Sequence, residues 1–172
     1  MEKFTPQFAV VFRDLMVQSL AQELPVTTRV LAAVPDLQRE YRPSPASRSA
    51  WELSWHIAAD VWFLEGIADL QFESDPDLRH ANPAETTTAL AKWYEHAFLA
   101  ALDKVRTMAS ELLLAEVALG GVAAEAGMRF PASLYLLFLE KHTIHHRGQL
   151  AAYLRPMGAR VPAIYGRSAD ER

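Results

Sequence analysis

Three of the chain's six histidines crowd into Lys141-His142-Thr143-Ile144-His145-His146-Arg147-Gly148-Gln149. On a helix of 3.6 residues per turn, His142 and His146 stand about 40° apart around the axis and one turn apart along it. Two imidazoles so placed can reach one metal ion, as in other helical His-x-x-x-His sites. His142 and His145, three apart, are a rival pair on the edge of the same face. Leu134, Phe138, Leu150 and Tyr153 flank the face of His142 and His146 and turn both inward. The pair alone is weak evidence, because histidines meet this spacing by chance on exposed helices. A third ligand would change that.

His56 is the candidate. It sits in Trp51-Glu52-Leu53-Ser54-Trp55-His56-Ile57-Ala58-Ala59-Asp60, among aromatic and aliphatic neighbours. An inward histidine there needs a polar partner to offset its desolvation. That partner is either a backbone carbonyl or Asp60, or else a metal shared with His142 and His146. Asp60, one turn after His56, and Glu52, one turn before it, are candidates for ligand orientation or general-base work. An ordinary surface carboxylate is the competing account for at least one of them. Arg147 and Gln149 either shape a pocket mouth or serve as a solvated cation and a helix-packing amide. His80, in a loop, and His96, beside Glu95, read as solvent-exposed.

These side chains need helices to carry them. Thr5-Pro6 reads as an N-cap and a first-turn proline. Phe8, Phe12, Leu15, Met16, Leu20 and Leu24 then recur at threes and fours. Pro25 interrupts the pattern and Val26, Val30 and Leu31 resume it, predicting one helix to about Val34, where Pro35 ends it. A connector at 41–46 leads to a second helix, capped by Ser47 or Ser49 and running to about Phe72. Residues 73–83 read as a loop, and a third helix spans about Ala84 to Ala109. Over 110–130, Leu112 to Leu119 suits a short helix, and Gly120-Gly121 and Gly127 suit a loop or short hairpin. Pro131 opens a last long helix ending near Tyr153 or Arg155, followed by an irregular tail. Four main helices and no set of alternating strands predict an all-α bundle in one domain, 1–172.

Bulk composition narrows the function classes. The chain has 172 residues, 51% of them apolar, enough for a core without disulfides. It has no cysteine, which removes thiolate nucleophiles and Cys-based metal sites, so any thiol chemistry needs a thiol brought in from outside. A net charge of -4 argues against a dedicated nucleic-acid binder and gives no attraction to anionic lipid. The N-terminus lacks a signal-peptide pattern, and no apolar run approaches the roughly 20 residues a membrane span needs. A soluble cytoplasmic protein is the expectation.

The segment Arg48-Ser49-Ala50-Trp51-Glu52-Leu53-Ser54-Trp55-His56-Ile57-Ala58, with His142-Thr143-Ile144-His145-His146-Arg147-Gly148-Gln149-Leu150, resembles the DinB-like (YfiT-like) superfamily of metal-dependent hydrolases. The resemblance extends over essentially the whole chain, through Val30-Leu31-Ala32-Ala33-Val34-Pro35, Arg42-Pro43 and the tail Arg155 to Gly166. It implies a four-helix bundle of the DinB/YfiT type, with a short extra helical or irregular segment before the last helix. It also implies one divalent ion, nickel or zinc, held by His56, His142 and His146, with His145 at the rim. Three imidazoles leave coordination positions open, as catalytic sites do, although the ligand set alone equally suits cobalt or iron. The implied chemistry is hydrolysis, or transfer and isomerisation with a low-molecular-weight thiol such as bacillithiol or mycothiol, on an unidentified small-molecule substrate. A homodimer is implied too. The alternative is a non-catalytic metal-bearing stress or interaction protein.

Overall fold

The computed structural model describes residues 4–73, 75–119 and 129–171. Helix α1 (Pro6–Ala32) begins where the Thr5 hydroxyl accepts the Phe8 N–H at 3.2 Å, with Pro6 in the first turn, where its missing N–H costs no helical hydrogen bond. It continues through Pro25, where one helical hydrogen bond is lost, and Leu20, Leu24, Val30 and Leu31 on either side are buried, which favours the unbroken helix. A 3₁₀ turn, Asp36–Gln38, follows Pro35.

Ser49 caps α2 (Ala50–Ala58) in a reciprocal pair. Its hydroxyl accepts the Glu52 N–H at 3.1 Å, and the Glu52 carboxylate accepts the Ser49 N–H at 2.8 Å. The single helix expected to Phe72 is divided at Ala59, where the Trp62 N–H reaches back only three residues to the Ala59 carbonyl. Helix α3 (Asp60–Asp69) continues from that tightened turn. The loop expected over 73–83 contains a one-turn helix, α4 (Pro76–Arg79). Helix α5 (Thr87–Arg106) is capped by Thr86.

Helix α6 (Ser110–Leu114) is shorter than expected, because Glu116–Ala118 forms strand β1, paired antiparallel with β2 (Arg129–Pro131). Gly120-Gly121 and Gly127 lie outside the described residues. Pro131 belongs to β2, so the last helix, α7 (Leu134–Leu154), starts three residues after it. The fold is mostly helical. Helix α1 packs on α5, α6 and α7; α3 packs on α5 and α7; and α2 packs on α7 and α5. Leu53 and Ile57 of α2, Tyr94 and Phe98 of α5, and Leu139 and Leu150 of α7 are buried in one shared core. Their removal from water fixes how these helices sit against one another. Among the described residues, no helix is long and apolar enough to cross a membrane.

Candidate metal centre

The packing of α2 on α7 brings His56 against His142 and His146. Ring centroids lie 4.9 Å apart for His56 and His142, 4.6 Å for His56 and His146, and 4.5 Å for His142 and His146. One ring nitrogen from each falls within 4.8 Å of the other two. The side chains of His56 and His142 keep 18% and 23% exposure, so the cluster opens to solvent on one side.

Each imidazole is held from behind. His56 Nδ1–H donates to Asp77 Oδ2 at 2.8 Å, and the Arg48 guanidinium lies 3.3 Å from the same oxygen. His142 Nδ1 lies 2.8 Å from Asp60 Oδ1, whose other oxygen accepts the Thr143 hydroxyl at 2.5 Å. His146 Nδ1–H donates to the Gln149 amide oxygen at 3.2 Å. Carboxylate and amide oxygens only accept, so the proton of each neutral ring sits on Nδ1 and the lone pair on Nε2.

His56 and His142 then point lone pairs at one another, Nε2 to Nε2, at 3.1 Å. Two acceptors this close repel unless a cation or a proton lies between them. Two nitrogens on one tetrahedral ion, each at about 2.0–2.1 Å, would be about 3.3 Å apart. The donor set therefore fits a divalent metal in both chemistry and spacing. Burial pushes the proton affinity of His56 down, and the Arg48 charge pushes it further, against the pull of Asp77. Burial lowers that of His146 to about 4, helped by the neighbouring histidines and opposed by Gln149. For His142 burial also acts downward, but the hydrogen bond and charge of Asp60 outweigh it and leave its pKa above the ordinary value. At neutral pH His56 and His146 are thus neutral and ready to ligate.

The DinB family matches this chain over residues 4–172. The chain belongs to the DinB family. Its relatives include YrdA, an uncharacterised protein of Bacillus subtilis strain 168, 25% identical over 92% of this chain and 90% of the relative. Two crystal structures share the fold. A DinB-like protein of Bacillus subtilis (YjoA) superposes with a TM-score of 0.68 at 24% identity, covering 89% of this chain and 99% of that one. A DinB-like protein of Bacillus cereus ATCC 10987 gives 0.69 at 23%, covering 87% and 95%.

In this DinB chain the remaining candidates separate. Asp60 is buried and serves His142 across the fold, not the neighbouring His56 of its own helical stretch. Glu52 is occupied at the start of α2, where it holds the Ser49 N–H and pairs with Arg42 at 2.7 Å. Arg147 reaches neither a pocket mouth nor solvent. It is 1% exposed and pairs with Glu23, while its Nη2 donates to the Tyr165 hydroxyl at 2.6 Å. Five residues on from His142 is about 140° around the helix, which turns Arg147 toward α1. Gln149 stands behind His146, and His145 is exposed beside it, with ring centroids 4.8 Å apart. His96 is exposed, whereas His80 is half-buried, stacked on Trp62 at 4.0 Å. Sequence reasoning missed Asp77 and Arg48. The Asp75-Pro76 pair, a helix-start signal inside the expected loop, is the one cue that pointed to α4 and hence to Asp77.

Proposed function

We propose that this chain is a metal-dependent enzyme whose centre, His56, His142 and His146, holds one divalent ion, zinc or nickel. The observation that carries this is the facing pair of Nε2 lone pairs, each ring fixed from behind by Asp77 or Asp60. When bound, the ion would supply Lewis acidity, making water or a thiol a nucleophile at neutral pH. The reaction class is hydrolysis or thiol-dependent S-transfer. A chain without cysteine must take its thiol as a cosubstrate, and the solvent-open side of the cluster gives one a way in.

The chain's own contribution is positional. Asp60, Asp77 and Gln149 keep the three Nδ1 atoms protonated and the three rings convergent, so little reorganisation remains when a ligand arrives. Helices α1, α2 with α3, α5 and α7 supply the four members of a DinB-type bundle around this site. A homodimer in the cytoplasm completes the proposal; the exposed Phe8, Val11 and Leu15 on α1 offer apolar surface for the contact.

Elemental analysis of untagged protein beside a His142→Ala/His146→Ala double variant tests the centre. About one equivalent of zinc or nickel, lost in the variant, is the expected result. Absence of metal from both, even after reconstitution, would overturn it. A loaded protein that turns over neither esters and amides nor thiol adducts would favour the non-catalytic metal-bearing alternative.

A further inference from the structure

A cavity of about 440 Å³ lies along α7, and one of its walls, Phe138, neighbours His142. Leu119, Phe130, Leu134, Tyr135 and Phe138 line it, with Lys141 as its charged member. Its hydrogen-bonding capacity is almost spent. The Tyr135 hydroxyl already donates to the Val117 carbonyl at 2.8 Å, so the aromatic and aliphatic walls can recognise a guest only by shape and apolar area. Phe130 and Phe138 are 46% and 48% exposed, well above the level of the core aromatics. The Lys141 side chain is exposed and has no ion pair or hydrogen bond among the described residues.

The cavity adjoins the metal centre. Leu134, Phe138, Lys141 and His145 fall within about 60° of arc on α7, and His142 lies one turn, about 6 Å, beyond Phe138. The Phe138 ring stacks with Phe63 at 5.5 Å and with His142 at 6.2 Å, so one side chain serves as cavity wall and as neighbour of the histidine cluster.

We propose that this cavity takes the apolar body of an anionic substrate, an aryl or acyl carboxylate, whose charge pairs with Lys141. The proposal deepens the enzymatic reading by naming the substrate class. The apolar lining supplies the binding, and the single ammonium sets the sign of the head group. A single ammonium neutralises one negative charge, so a carboxylate monoanion is fully compensated beside these apolar walls, whereas a phosphate dianion would keep a charge that the lining cannot solvate. A ligand so seated has its polar end within about one helical turn of His142 and His145.

Titration calorimetry of the metal-free full chain with naphthoate and its uncharged analogue naphthamide tests this without any need for the ion. Naphthoate should bind saturably and about fivefold more tightly than naphthamide, the upper end of an exposed ion pair. Lys141→Gln should erase that preference while both ligands still bind, and His146→Ala should leave it intact. No saturable binding of naphthoate at millimolar concentration, equal affinity for the two probes, or a preference that survives Lys141→Gln would each overturn the proposal. Tighter binding of naphthyl phosphate would overturn the carboxylate assignment. If the centre binds no metal, these titrations still read out, so the two ideas fail separately.

Discussion

Replacing Asp60 by asparagine removes a charge from the centre and almost nothing else. The side chain is 5% exposed and takes the His142 Nδ1–H on one oxygen at 2.8 Å and the Thr143 hydroxyl on the other at 2.5 Å. In the amide, the oxygen keeps the imidazole and the NH₂ group turns to Thr143. The Thr143 hydroxyl already has a second acceptor, the Leu139 carbonyl at 3.0 Å, so it can give its proton there and accept from the amide. The hydrogen bonds survive and the charge goes. A carboxylate behind a ligating imidazole makes the forward nitrogen a better donor, and losing such a partner costs about tenfold to a hundredfold in metal affinity. That is about 1.4–2.7 kcal/mol.

The same carboxylate raises the proton affinity of His142, so in the parent protein protons compete with the metal as pH falls through a pKa above 6.5. In Asp60→Asn that competition starts only at lower pH. The affinity gap should therefore be widest near pH 8 and narrow toward pH 6. Competition titrations of metal-free protein against a chromophoric zinc chelator at both pH values measure it, with circular dichroism confirming the fold. Equal affinities at pH 8 would refute the orienting role of Asp60, and a gap that widens toward acid would refute the sign.

Arg147→Met should destabilise by about 3–5 kcal/mol in urea unfolding, because it leaves Glu23 largely buried without its cation; a change below about 1 kcal/mol would mean that the pair contributes little. Glu52→Gln should leave metal content unchanged and lower stability by about 0.5–1 kcal/mol through the weakened α2 cap, whereas loss of metal would return Glu52 to the centre. Gly66→Ala should cost about 1–3 kcal/mol, since a methyl there would sit 2.8 Å from the Phe72 ring and 2.9 Å from the Gln71 carbonyl oxygen. His146, with a pKa lowered from 6.5 to about 4, favours the folded state fully above pH 6.5, and that contribution is lost as pH falls toward 4. Metal-free protein should accordingly weaken across that window, and His146→Gln should weaken less steeply; an unchanged slope in the variant would exclude this source.

The cue at His142 and His146 was readable in the sequence because helical periodicity is local. One turn fixes which side chains share a face, whatever surrounds the helix. Thr5-Pro6 was legible for the same reason, since a cap and the helix it serves are three residues apart, whereas the choice of Ser49 over Ser47 and the tie of Glu52 to it came only with the structure. Two accounts of His56 stayed open, because choosing between them required α2 to be seated on α7 across 86 residues of chain. Asp60 and Glu52 looked equivalent around His56; a local contact with Ser49 holds Glu52 at the helix start, and tertiary packing sent Asp60 to His142. Arg147 was as polar in sequence as any rim residue; the burial of α7 against α1 put it on Glu23. Asp77 reaches His56 from a one-turn helix 21 residues away, a meeting no periodicity encodes. Spacing along one helix is set by covalent geometry. Which faces meet is set by the apolar surface that distant segments bury together.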